Sequence, residues 1–113
     1  MENHSGITVI NKRDSSYKNK SCLPYKIYIG RPSILGNPFS VRKYGRSKCI
    51  QLFREMLLAA LRASNPTPHQ LRLQREIERL REIYQKHGTL LLECWCAPSA
   101  CHGDVIKEIL ESS

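Results

Sequence analysis

The residues of this chain best suited to chemistry crowd into one stretch near its end, Cys94-Trp95-Cys96-Ala97-Pro98-Ser99-Ala100-Cys101-His102-Gly103-Asp104. Three thiols and an imidazole within nine residues support three readings. In the first, Cys94, Cys96, Cys101 and His102 hold a structural zinc ion. Residues 94 and 96 project to one face of a strand, and a turn at Pro98 brings Cys101 and His102 back toward them. The C-x-C-x4-C-H spacing departs from paired C-x2-C knuckles, and adjacent Cys101 and His102 seldom reach one metal. In the second, Cys101 is a catalytic nucleophile: the start of the last helix and nearby cations lower its pKa, while His102 and Asp104 handle the proton. A Cys96–Cys101 redox pair is a weaker variant. In the third, the turn at 97–103 leads into a helix N-terminus that receives an anion without any covalent step. Cys94 then serves packing, and Asp104 is a cap before it is a base.

A second set of polar residues follows other candidate strands. Arg31, held between Gly30 and Pro32, offers a bidentate fork for phosphate or carboxylate, and Asn37 a two-sided hydrogen-bonding group. Asn11 and Lys12 leave the first strand in the same way. Each has a plainer reading as an ordinary surface group on a polar loop. Cys22 and Cys49 are isolated and carry no expected chemistry.

The charge pattern agrees with an anionic partner. The net charge is +8, and residues 1–62 hold 12 basic against three acidic side chains, whereas residues 63–113 hold six against seven. Such a field favours phosphate-bearing small molecules or nucleic acid, although it also serves solubility. No G-x-G-x-x-G or Walker fingerprint occurs, nor the H-x-E with P-C-x-x-C of zinc deaminases. The charge-alternating helix expected at 68–87 is a poor candidate for reading duplex DNA. No apolar run is long enough to span a bilayer, and no secretory signal is visible, so a cytoplasmic location with free thiols is expected.

The positioning elements follow from periodicity. Ile7-Thr8-Val9-Ile10 and Tyr25-Lys26-Ile27-Tyr28-Ile29 read as strands, and residues 89–96 as a central strand with both faces covered. Cys49, Phe53, Met56, Leu57 and Ala60 mark a helix from about Ser47 to Arg62. Thr67 and Pro68 start a second with Leu73, Ile77, Leu80 and Tyr84 buried, ended by Gly88. Val105, Ile106, Ile109 and Leu110 mark a short last helix. A basic, aperiodic loop occupies 14–24, and the two Gly and two Pro of 30–39 make that segment an irregular loop. At 113 residues the chain is one domain, 1–113. The expected fold is α/β, small and three-layer-like, Rossmann-like in kind, with about three strands in a short, mostly parallel sheet and about three helices. All the candidate residues then follow a strand's carboxyl end, where open parallel sheets bind ligands.

The combination of Val9-Ile10-Asn11-Lys12-Arg13, of Tyr28-Ile29-Gly30-Arg31-Pro32-Ser33 with Leu35-Gly36-Asn37-Pro38-Phe39, and of Cys94-Trp95-Cys96-Ala97-Pro98 with Cys101-His102-Gly103-Asp104 resembles a family of small bacterial and phage proteins, domain-of-unknown-function family 4326. The resemblance implies that Arg31, Asn37, Cys96, Cys101, His102 and Asp104 share one site, and it implies no reaction. The expectation is a domain that binds a phosphate-bearing ligand, nucleotide or nucleobase-like, through Asn11, Lys12, Arg31, Ser33, Asn37 and Cys96, with Cys101, His102 and Asp104 as the catalytic set if it is an enzyme. A non-enzymatic nucleic-acid-binding module and a structural zinc domain are the alternatives. No cofactor is expected beyond zinc in that last case, no membrane partner is expected, and the oligomeric state is open.

Overall fold

The structure is a computed structural model that describes residues 6–14, 23–96 and 99–112. Most of the basic loop at 14–24, with Cys22, and Ala97 and Pro98 of the Cys-His turn lie outside the described residues. Three strands, β1 (Ile7–Asn11), β2 (Lys26–Tyr28) and β3 (Leu90–Cys94), form one parallel sheet in the order β1-β3-β2. Four helices complete a mixed α/β domain: α1 (Val41–Tyr44), α2 (Arg46–Arg62), α3 (Pro68–His87) and α4 (His102–Glu111). No helix among the described residues is long and apolar enough to cross a membrane.

β3 is central because all five of its residues are buried, as a strand paired on both edges requires. It pairs Leu90 with Ile7 and Leu92 with both Val9 and Ile27, so the three strands run in one direction with their carboxyl ends together. Side chains alternate between faces. Leu90, Leu92 and Cys94 join Ile7 and the helical residues Phe53, Leu57, Ile77, Leu80, Val105 and Ile106 in one apolar core. Leu91 and Ile10, on the opposite face, are buried outside that cluster, and Glu93 stands beside Ile10 and Tyr28 in the same row.

The helix ends follow the local sequence. Thr67 accepts from the Gln70 N–H at 3.2 Å while the Gln70 side chain accepts from the Thr67 N–H at 3.0 Å, a reciprocal cap with Pro68 in the first turn. Gly88 closes α3 with φ 71°, a left-handed conformation that costs glycine nothing. Gln74 of α3 donates to the Ala60 and Ala63 carbonyls at the end of α2, at 2.8 and 3.2 Å, which fixes the turn between the two helices.

Two boundaries differ from the sequence expectation. α1 is a fourth helix that periodicity does not reveal, because it buries none of its residues. β3 ends at Cys94, short of the residue 96 that the apolar run suggests, since its pairing with β1 stops at Asn11 opposite Cys94. Phe53 is fully buried at the centre of the core and meets the His102 ring edge-on, centroids 5.0 Å apart. Phe53→Ala is therefore expected to lower the unfolding free energy by roughly 3–5 kcal/mol, measured by urea unfolding.

Candidate functional site

Parallel pairing delivers three connections to one edge of the sheet, and against those that follow β2 and β3, with the start of α2, lies a cavity of about 270 Å³. Arg31, Asn37, Cys96, Cys101 and His102 all line it, as does Cys94. Five of the residues grouped from the sequence thus share one concave site. Asn11, Lys12, Ser33 and Asp104 stand outside the lining.

The loop at 30–39 is built from consecutive turns. The Ser33 N–H donates to the Gly30 carbonyl and the Gly36 N–H to the Ser33 carbonyl, both at 2.9 Å, and the Arg31–Pro32 peptide is cis. A Cβ on Gly36 would stand 3.0 Å from the Arg31 Cα and N, so any larger residue there would have to push the folded-back loop apart. Arg31 Nε donates to the Asn37 carbonyl at 2.7 Å, and the Tyr28 hydroxyl donates to the Arg31 carbonyl at 2.7 Å. The Asn37 amide is committed to the backbone: Nδ2 donates to the Cys49 carbonyl of α2 at 3.2 Å, and Oδ1 accepts from the Phe39 N–H at 2.9 Å. Asn37 clips the loop to α2, and Arg31 spends one edge of its fork holding the same loop. The Ser33 hydroxyl is buried without a hydrogen-bond partner among the described residues.

The Cys-His turn departs from the thiolate expectation. The Cys101 thiol donates to the Cys94 sulfur at 3.4 Å, and both residues are buried. That hydrogen bond, with burial second, pushes the Cys101 thiol well above its ordinary range, against the smaller opposing pull of the Gly103 N–H. Cys101 is the N-cap of α4. Its sulfur accepts from the Gly103 N–H at 3.3 Å, and the Asp104 carboxylate accepts from the Cys101 N–H at 3.1 Å. Cysteine stands where a capping box commonly has serine or threonine. The first turn of α4 presses so closely on the sheet that a Cβ on Gly103 would stand 2.9 Å from Ile29 Cδ1 and 3.0 Å from Val9 Cγ1. The Asp104 carboxylate and the Cys101 sulfur answer N–H groups of that turn, which leaves Arg31 and Arg46 as the anion-attracting groups of the cavity lining.

His102 is buried, with Nε2 2.7 Å from the Ile29 carbonyl. A carbonyl only accepts, so Nε2 carries the proton. Burial lowers the pKa of the ring below its ordinary 6.5, opposed by the Ile29 carbonyl, and the nearby Arg31 charge lowers it further. Two thiols of the set considered for zinc are adjacent, but the imidazole gives its Nε2 to the backbone. Among the described residues no group of three or more His, Cys, Asp or Glu is arranged to hold a metal ion.

Several contributors escape a sequence reading. Arg46, at the start of α2, lines the cavity and donates through Nη1 to the Ala100 carbonyl at 2.9 Å, tying α2 to the Cys-His turn. Nothing in its sequence context separates it from a surface charge. Glu93 is buried between Lys12 and Lys26, whose ammonium groups lie 3.5 and 3.7 Å from its two oxygens. Its signal was present as the single charge in a run of apolar residues. Asn11, which the sequence did single out, serves instead to bridge two loops, donating to the Trp95 carbonyl at 3.1 Å and accepting from the Arg13 N–H at 2.8 Å.

Two outcomes follow. With Cys49, Cys94 and Cys101 buried and Cys96 half-buried, a thiol reagent applied to the native protein should label Cys96 ahead of those three, which react only in denaturant; peptide mapping reads the order. The lowered pKa of His102 makes the unfolded chain take up a proton that the folded chain refuses, so stability should be full above pH 6.5 and fall as the pH drops below it. His102→Gln, which keeps a donor for Ile29 and cannot titrate, should flatten urea unfolding midpoints between about pH 7 and pH 5.

No curated protein and no solved structure matches this chain. A family model does, over residues 10–112, and its span takes in all three strand-end loops and every residue that lines the cavity. By that match, across nearly its whole length, the chain belongs to the domain of unknown function family DUF4326.

Proposed function

We propose that this protein binds a phosphate-bearing ligand, a nucleotide or nucleobase-like molecule, in the cavity at the carboxyl ends of its strands. The observation that carries this reading is the pairing of Arg31 and Arg46 with an apolar wall, Phe39, Val41 and Ile50, around a single cavity. Guanidinium forks favour phosphate oxygens, and an apolar wall favours a planar base. At about 270 Å³ the cavity takes a base or a sugar phosphate and leaves the remainder of a larger ligand at its open side. The location agrees with the general behaviour of open parallel sheets, in which ligands collect where the loops diverge.

The chemistry available there is binding before catalysis. Cys101, His102 and Asp104 each spend a polar atom on the cap or the backbone. Cys96 is the cavity thiol that is not buried, and it is the residue at which any covalent step would start.

A panel of nucleoside mono- and diphosphates, free nucleobases and inorganic phosphate, screened by amide NMR and followed by calorimetry, tests the reading. Binding should perturb the Arg31 and Arg46 regions. Arg46→Ala and Arg31→Ala should each weaken it by on the order of tenfold or more, as loss of a hydrogen bond to a charged group implies. No binding at millimolar ligand, or affinity untouched by both substitutions, overturns it.

A further inference from the structure

At the rim of the cavity, where β1 and β3 end, two of its lining rings, Tyr28 and Trp95, each carry a cation from the β1 exit, Lys12 and Arg13, neither of which lines the cavity. Trp95 follows β3 directly and is 49% exposed, an unusual position for the one tryptophan of the chain. It is held firmly all the same. Its indole N–H donates to the Tyr28 hydroxyl at 3.0 Å, that hydroxyl donates to the Arg31 carbonyl, and Asn11 donates to the Trp95 carbonyl. The Arg13 guanidinium lies 5.2 Å from the indole ring, and the Lys12 ammonium 4.9 Å from the Tyr28 ring. Asn11 also accepts from the Arg13 N–H, so one side chain sets the spacing of Arg13 and Trp95.

Charge on this edge is predominantly positive. Lys12 and Lys26 face Glu93, Arg13 and Arg31 add two further cations, and Asp14 is the other carboxylate of these loops. An exposed, hydrogen-bonded indole beside cations is the arrangement by which sequence-tolerant proteins hold unpaired bases: the ring stacks on the base and the cations follow the phosphates. A base inside a duplex cannot reach such a ring, which favours a single strand.

We propose that the cavity receives one nucleotide of a single-stranded nucleic acid, while the neighbouring base stacks on Trp95 and the intervening phosphates meet Arg13 and Lys12. This rests on the cavity reading above and deepens it by assigning the ligand to a polymer. Lys12 and Arg13 keep their charge while lying over the rings, so each can serve ring and phosphate together. Glu93 holds Lys12 near the edge, and Asn11 couples the two loops on either side of the strand.

Trp95, as the lone tryptophan, reports its own stacking by fluorescence. Hexamers of deoxythymidylate and of uridylate, a blunt hairpin duplex, and the mononucleotides dTMP and UMP are titrated against the full chain. At least one hexamer is expected to quench Trp95 and to bind on the order of tenfold more tightly than its mononucleotide, with affinity falling as salt rises. Measured by anisotropy of labelled hexamer, Trp95→Ala should lose on the order of tenfold in affinity and Trp95→Phe should recover most of it. Arg13→Ala should reduce the salt slope by roughly 0.7, the share of one phosphate contact on a single strand, and leave mononucleotide affinity as it was. Mononucleotide and hexamer binding equally, unquenched fluorescence, or a duplex binding as tightly as the hexamers overturns the strand proposal and leaves the cavity reading standing. No binding by any of them, together with a blank nucleotide panel, overturns both.

Discussion

Parallel pairing of β3 with β1 on one edge and β2 on the other brings three chain exits to the same rim of the sheet. The loops after β2 and β3, which border the cavity, take their places from this pairing. The ladder runs to its last rung, where the Lys12 N–H donates to the Cys94 carbonyl at 2.6 Å and the Ile29 N–H to the Glu93 carbonyl at 2.9 Å. Beyond those rungs the backbone groups have no strand partner and must be satisfied otherwise. The side chains of Asn11, Tyr28 and Arg31 do so, each donating to a loop carbonyl, and Asn37 donates from its loop to a carbonyl of α2. The residues with the richest hydrogen-bonding chemistry are thus the ones an irregular rim needs for its own construction.

The same economy governs the start of α4. A helix entering directly after a short turn has unsatisfied N–H groups, and here a cysteine and an aspartate close them reciprocally. Because that cap is packed against the sheet, with Gly103 permitting the contact, the sulfur is desolvated and bonded to a second thiol. A side-chain type associated with nucleophilic chemistry is here tied to a helix cap and a neighbouring thiol. His102 is engaged in a comparable way, with its ring edge-on to Phe53, Nε2 on the Ile29 carbonyl, and burial lowering its pKa. What remains open toward solvent at the rim is cationic and aromatic: Arg31, Arg46, Arg13 and Trp95.

Glu93 shows how the opposite face supports that rim. A carboxylate in a buried row is costly unless opposite charges accompany it. The register of β2 brings Lys26 to that face of the sheet, and the exit of β1 supplies Lys12. The ion pairs therefore join all three strands close to the ends from which the site-forming loops depart.

Much of this was legible without a structure, for definite reasons. The stripe from Cys49 to Ala60, the Thr67-Pro68 start and the Gly88 stop are local signals, read from neighbours within a turn or two, and they place α2 and α3 where they occur. The apolar run at β3 identified the central strand because only a strand with both faces covered tolerates it. Strand direction placed Asn11, Lys12, Arg31, Asn37 and the stretch from Cys94 to Asp104 at one edge of the sheet. The family resemblance narrowed these to a shared site, of which Arg31, Asn37, Cys96, Cys101 and His102 line the cavity while Asp104 does not. What each group does there was decided by long-range contacts that no local pattern encodes: Asn37 on the Cys49 carbonyl, the Cys94–Cys101 thiol pair, Arg46 reaching Ala100, and Trp95 fixed by Tyr28 across the sheet. α1 left no trace because it buries nothing. The sequence by itself determined which strand-end loops share an edge, since periodicity and strand polarity are local properties; the tertiary structure decided which of their residues line the cavity and in what role, since desolvation and hydrogen-bond partners come from residues distant in the chain.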